Sequence, residues 1–142
     1  MSILQTSSKL INTSVRFASK AGEKPEELIT DYIAPFGEGK NFMPLELFLI
    51  SLSTCLGGSV SPLLKKMGFS VDGLDIKAAG QRREQHPTSF EKITLDITLT
   101  SANATLEDLQ KAVTLSEKQF CPVLAMLDKG IEVSYNLKVT NA

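Results

Sequence analysis

The chain has one histidine and only two cysteines among its 142 residues, and that scarcity closes several routes to function at once. A structural zinc site takes four ligands of this kind. Cys55, Cys121 and His86 are too few, and no CxxC pair is present. Charge of one sign is missing as well: 15 Lys and Arg stand against 16 Asp and Glu, so neither nucleic acid nor a membrane surface is an expected partner. His86 precedes Pro87 in what reads as an exposed turn, with no serine-centred nucleophile motif near it. Glu23, Glu26 and Glu27 around Pro25 form a solvated loop and give no support to paired-carboxylate chemistry. Repeats, low-complexity tracts and linkers are also lacking, so a single domain spanning 1–142 is expected. A chain of this length buries roughly two-thirds of its unfolded surface without any disulfide staple.

Two targeting patterns have competing structural readings. Residues 1–22 hold Lys9, Arg16 and Lys20, several hydroxyl residues and no acid, a loose likeness to a mitochondrial presequence. The same residues read better as a strand. Segment 42–64 carries one charge, Glu46, and has the length of a bilayer span, for which about 20 residues suffice. Its Ser51, Ser53, Thr54, Gly57, Gly58, Ser59, Ser61 and Pro62 make a poor membrane helix and favour a buried core helix. Two cysteines without a secretory signal fit a reducing, cytoplasmic setting, where a thiol pair is redox-active, metal-binding or inert more often than a structural staple.

The order of elements follows from periodicity and punctuation. Residues 9–18 and 28–34 read as two strands of a hairpin, separated by a turn-rich stretch at 19–25. After the glycine-containing loop 35–41, Pro44 suits the first turn of a helix. That helix runs to about Met67, is apolar nearly all round, stops at Gly68, and should be kinked or divided by Pro62. Strand positions follow at Val71, Leu74, Ile76 and Ala78, then at Ile93, Leu95, Ile97 and Leu99, which alternate with polar residues. Thr105-Leu-Glu-Asp108 opens a helix through a capping box that reaches Phe120. Pro122 begins a short helix to Leu127, closed by Asp128-Lys-Gly130 before a last strand through Ile131, Val133, Tyr135, Leu137 and Val139. Antiparallel strand pairs interrupted by helices predict an α+β domain with antiparallel sheets.

The two thiols occupy chemically different settings. Cys55 lies inside the apolar helix, and its plainest reading is a small core residue, since cysteine is among the most buried residue types. Cys121 falls at a helix boundary, where the free N–H groups of the new first turn could favour a thiolate. A thiolate needs a cation, a donor or a helix N-terminus beside it. Arg16, Arg82 and Arg83 are the candidate cations, because guanidinium stays charged in a dry site. Sequence spacing leaves open whether the two sulfurs, 66 positions apart, ever meet.

Gly39-Lys-Asn-Phe-Met-Pro-Leu-Glu-Leu-Phe-Leu49, running into Ser53-Thr-Cys55, and the later Glu117-Lys-Gln-Phe-Cys-Pro-Val123 resemble the OsmC/Ohr family of osmotically induced and organic hydroperoxide resistance proteins. The likeness covers nearly the whole chain. It implies an OsmC-like fold with a long central helix, buried within an intertwined homodimer that carries two active sites at the subunit interface. It also implies a peroxidase in which Cys55 becomes a sulfenic acid, Cys121 resolves it as a disulfide, and an external dithiol such as a lipoyl group restores the enzyme, with no metal or flavin. The apolar neighbours Phe48, Leu52 and Leu56 suit an alkyl peroxide.

One position departs from that pattern. Strong hydroperoxide-reducing members carry a glutamate directly after the proline that matches Pro44, pairing with the arginine that faces the reactive sulfur. This chain has Leu45 there and Glu46 one place later, as in a less characterised OsmC-like branch. Glu46 and Cys55 are nine residues apart, about 900° around an ideal helix and so half a turn out of phase. Arg16 and Glu46 are nevertheless the candidate partners of Cys55 and Cys121. The displaced glutamate also keeps open an OsmC-like dimer that binds an apolar ligand, or serves as a scaffold, without turnover.

Overall fold

The computed structural model describes residues 2–127 and 129–142 and falls into two compact units, 1–48 and 49–142. In the N-terminal unit, β1 (Thr6–Leu10), β2 (Phe17–Ala21) and β3 (Leu28–Thr30) form an antiparallel sheet in that order. The single strand expected over 9–18 is two strands and the turn between them. Asn12 Oδ1 accepts from the N–H groups of Ser14 at 3.0 Å and Arg16 at 3.1 Å, and Ile11 N–H donates to the Arg16 carbonyl at 2.9 Å. An asparagine side chain that offers its oxygen to nearby N–H groups outcompetes a continued ladder.

The strand expected over 28–34 also ends early, at Thr30, because Asp31 takes the chain elsewhere. Its carboxylate accepts from Tyr32 N–H at 2.8 Å and Glu38 N–H at 3.1 Å, folding residues 31–39 back around it. Gly37 passes so close that a Cβ would collide with the Tyr32 carbonyl and the Asp31 carboxylate. Among the described residues of this unit, Asp31 alone is buried. Leu10, Phe17, Leu28, Ile33, Phe36 and Phe42 are all exposed, so this sheet has no apolar core of its own.

Helix α1 spans Pro44–Lys66. Met43 N–H donates to Glu46 Oε1 at 2.8 Å, which satisfies one orphan donor at its start. Gly68, at φ +95°, ends the helix in the left-handed conformation glycine adopts most readily. Pro62 does not divide it. Both Pro62 and Gly58 lie on the exposed side, where water can take the hydrogen bond that the Gly58 carbonyl loses. Burial is also narrower than the all-round apolar pattern predicts. Only Leu52, Leu56, Val60 and Leu64 are fully buried, one row at four-residue spacing, while Ile50 and Met67 remain exposed. The helix is long and apolar enough to cross a membrane, yet that row is buried within the protein.

The C-terminal unit contains β4 (Gly73–Arg82), β5 (Phe90–Ser101) and β6 (Glu132–Asn141) in the order β4-β5-β6. The expectation of purely antiparallel sheets is corrected here: β4 and β5 are antiparallel, whereas β5 and β6 are parallel. The chain between them passes through α2 (Leu106–Leu115), a π-helical turn (Ser116–Phe120) and α3 (Pro122–Ala125), a helical crossover that returns β6 in the direction of β5. Thr105 caps α2 through the expected box, its side chain accepting from Asp108 N–H while Asp108 Oδ2 accepts from Thr105 N–H at 2.8 Å. The helix expected to reach Phe120 changes to the wider π turn after Leu115. Within the expected close of the short helix, Asp128 lies outside the described residues.

The core lies between this sheet and its helices. Ile93, Leu95, Ile97 and Leu99 are at most 1% exposed, the inward row of a strand with period two. Leu109, Ala112 and Val113 supply the buried face of α2, which lies against β6. At Gly57 the helix α1 comes down on β4, where a Cβ would stand 3.1 Å from Ile76 Cδ1.

Candidate functional site

The C-terminal unit brings the two thiols together. Cys121 Sγ lies 3.2 Å from Cys55 Sγ and donates its proton toward it. Both are free thiols. A disulfide requires about 2.05 Å between sulfurs, so roughly 1.1 Å of approach separates the pair from a covalent bond. Cys55 projects from α1 beside the buried row and is half-buried, whereas Cys121 is 2% exposed.

The local sequence explains how Cys121 is held. The π turn widens the end of α2 by one residue per turn, and Cys121 N–H closes it on the Ser116 carbonyl at 2.8 Å. Pro122 cannot continue the ladder and starts α3 at its first position, which leaves Cys121 extended as the N-cap. Its sulfur accepts from Leu124 N–H at 3.5 Å. The donor expected from the new first turn is therefore present. Burial nonetheless dominates and raises the Cys121 pKa above the ordinary thiol value, with Leu124 N–H opposing and Cys55 adding to the rise.

Within the C-terminal unit, Arg82 and Arg83 fall away from the thiols. Arg82 Nε donates to the Thr88 carbonyl at 2.8 Å, and the same guanidinium bonds the Thr88 hydroxyl. Arg83 Nε donates to the Gln85 carbonyl at 3.1 Å. Both guanidinium groups thus brace the β4–β5 turn. They line a cavity of about 820 Å³ together with Glu84, Glu91 and Ile131, and neither cysteine borders it. Arg16 and Glu46 belong to the N-terminal unit. Arg16 Nε is shielded from solvent without a hydrogen-bond partner, while the Glu46 carboxylate is engaged at the start of α1. His86 is exposed, and no cluster of three metal-ligating side chains exists among the described residues.

Two residues absent from the sequence-derived set, Tyr135 and Glu117, act on each other in this unit. The Tyr135 hydroxyl is shielded from water. Desolvation first, then the Glu117 carboxylate and the Cys121 thiol, push its pKa far above the ordinary phenol value. The sequence does contain a signal for Tyr135, a phenol within an inward-facing strand row. It contains none for the burial of that hydroxyl.

Comparison with known proteins follows this geometry. Residues 37–136 match the family model described as OsmC-like protein. Protein YhfA of Escherichia coli K12 is 28% identical over 99 residues, 70% of this chain and 74% of its own. A hypothetical protein from Aquifex aeolicus has a solved structure that superposes with a TM-score of 0.81 at 30% identity, over 99% of both chains. An organic hydroperoxide resistance protein from Elizabethkingia anophelis shares the fold at a TM-score of 0.73 and 15% identity, over 100% of this chain and 98% of its own.

Proposed function

The chain belongs to the OsmC-like family, and from that footing we propose that it is a thiol-dependent peroxidase that reduces organic hydroperoxides. The observation that carries the reading is the 3.2 Å separation of the two sulfurs. Cys55 as thiolate attacks the terminal, hydroxyl oxygen of the hydroperoxide, the O–O bond breaks, the alkyl-bearing oxygen leaves as alkoxide and takes a proton to become the alcohol, and Cys55 is left as sulfenic acid. Cys121 then attacks the Cys55 sulfur. The S–O bond breaks, an S–S bond forms, and the oxygen departs as water with the thiol proton. A dithiol reductant, such as a lipoyl group, returns both cysteines to thiols.

The half-buried Cys55 is the peroxide-facing sulfur in this scheme, and the buried Cys121 is the resolving one. Arg16 is the proposed activating guanidinium, with a shielded Nε that has no partner. The assembly is a cytoplasmic homodimer, which would cover the apolar side chains exposed on the N-terminal unit and the uncovered side of α1. The structural relative from Elizabethkingia anophelis is named for organic hydroperoxide resistance, which agrees with this substrate class.

A second reading is favoured by Glu46. Its carboxylate caps Met43 N–H and Leu45 occupies the place of the family glutamate, so an apolar-ligand-binding or scaffold dimer without turnover is the alternative. Steady-state reduction of cumene hydroperoxide with a dithiol separates the two. Turnover should be present in the parent protein and absent in Cys55→Ser, and Cys121→Ser should accumulate a sulfenic acid trappable by dimedone. Full activity in Cys55→Ser refutes the mechanism, and an inert dithiol in the parent selects the second reading.

A further inference from the structure

We propose that the reduced Cys55–Cys121 pair is a binding site for trivalent arsenicals that carry one organic group, held as a two-thiolate chelate and excluded once the pair is oxidised. The inference uses the position of the two sulfurs and makes no use of their peroxidase roles. Two free thiols 3.2 Å apart are a bidentate ligand set that the fold has already assembled. Their separation also selects the kind of centre they suit.

A thiolate–zinc bond is about 2.3 Å long, and arsenic–sulfur bonds are of similar length. With both bonds at about 2.3 Å, sulfurs 3.2 Å apart subtend an angle of roughly 90° at the bridging atom. A tetrahedral ion bonded at that length holds two sulfurs about 3.8 Å apart, and a linear one such as copper(I) about 4.6 Å apart. Both require the pair to open. Pyramidal trivalent arsenic bonds through p orbitals at angles near a right angle, so it bridges the sulfurs as they stand.

The protein supplies two thiolates and no further ligand. The chain has two cysteines, and among the described residues no group of three His, Cys, Asp or Glu side chains is assembled. That falls short of the four-ligand habit of zinc. Inorganic arsenite, with three hydroxyls to exchange for thiolates, is left one exchange short. An arsenical with one carbon on arsenic has only two hydroxyls, and the pair satisfies it completely. Each hydroxyl leaves as water with a thiol proton, two As–S bonds replace two As–O bonds, and no atom changes oxidation state. The organic group needs an opening beside the sulfurs. Cys55 is the half-buried partner, and its neighbours one turn to either side on α1, Ser51 and Gly58, are small and exposed. A Cβ added at Gly58 meets nothing within 4 Å, so the flank of Cys55 toward Gly58 has space for a methyl or phenyl group. A dimer that admits a hydroperoxide to Cys55 leaves the same approach free.

The test titrates phenylarsine oxide, methylarsonous acid and arsenite into the reduced full chain and reads the product by native mass spectrometry. Each organic arsenical should add one organoarsenic group per chain in exchange for two hydrogens. Cys55→Ser and Cys121→Ser should each weaken methylarsonous acid binding by about 10²-fold or more, the loss expected when two points of attachment become one. Unfolding the parent in urea should weaken it comparably, since 66 positions then separate the thiols. Arsenite should bind more weakly than methylarsonous acid, and parent protein oxidised to the disulfide with diamide should take up neither.

Affinity kept in either serine variant, native affinity no better than that of the unfolded parent, or arsenite bound as tightly as methylarsonous acid overturns the proposal. The comparison of folded with unfolded parent holds even where a serine variant fails to fold. Tight arsenical uptake without hydroperoxide turnover would refute the peroxidase reading and leave this site standing, whereas turnover without uptake would refute the site alone.

Discussion

Closing the Cys55–Cys121 pair should stabilise the protein against heat, and the magnitude follows from the positions of the two sulfurs. They are 66 residues apart in sequence and 3.2 Å apart in space. A crosslink between them removes the conformations in which the unfolded chain separates these points. The chain-entropy relation for a loop of that length gives about 4 kcal/mol. The native state opposes this little, since roughly 1.1 Å of approach is needed and Cys121 stands at a helix boundary where no ladder has to break. For a domain of this size the gain corresponds to a rise in Tm of roughly 10 °C. The assay is differential scanning calorimetry of reduced protein and of protein treated with one equivalent of hydroperoxide, at one fixed concentration because assembly would shift both curves. Intact mass must first show the loss of two hydrogens, and Cys121→Ser, which cannot close, serves as the control. A disulfide formed in full mass yield with an unchanged or lower Tm would refute the reasoning, by showing that the bond strains the native site by as much as it restrains the unfolded chain.

Two further expectations concern the scaffold. The Phe90 ring occupies the space that a Cβ at Gly80 would need, and Phe90 is 7% exposed; Gly80→Ala should therefore destabilise by about 1–3 kcal/mol in urea unfolding, and a neutral result would mean that the ring moves freely. The carboxylates of Asp31 and Asp108 have depressed pKa values, caused first by hydrogen bonds from the backbone N–H groups of Glu38 and Thr105. Their contribution is complete above the ordinary value of 3.8 and is lost as pH falls through their folded values. The raised Cys121 value acts oppositely, so its contribution declines as pH rises beyond the ordinary 9.0. Urea midpoints measured across pH should thus fall at both ends, and removing the alkaline thiol contribution with Cys121→Ser should flatten the upper limb.

Much of the architecture is legible in local pattern, and the departures have identifiable causes. The capping box at Thr105, the helix stop at Gly68 and the alternation from Ile93 to Leu99 are local devices, and each appears where the sequence places it. Strand direction is not a local property. The alternating pattern of β6 is the same whether it runs parallel or antiparallel to β5, and the crossover through α2 and α3 decides it. Asn12 and Asp31 redirect the chain by side-chain hydrogen bonds to N–H groups as much as seven residues away, which residue periodicity does not register. The apolar composition of α1 predicts burial on most faces, yet within one chain a single row is buried. Composition reports that a surface should be covered, without saying by what.

The same division runs through the site. Sequence by itself determined that this protein has two thiols in motif-bearing contexts, an α+β fold and membership in the OsmC-like family, because motifs, caps and periodicity are written in neighbouring residues. The tertiary structure alone decided that Cys55 and Cys121 stand sulfur to sulfur, that Arg82 and Arg83 serve a turn, and that the hydroxyl of Tyr135 is shielded from solvent. Those facts depend on where distant segments come to rest, and packing among them sets distances that sequence spacing cannot.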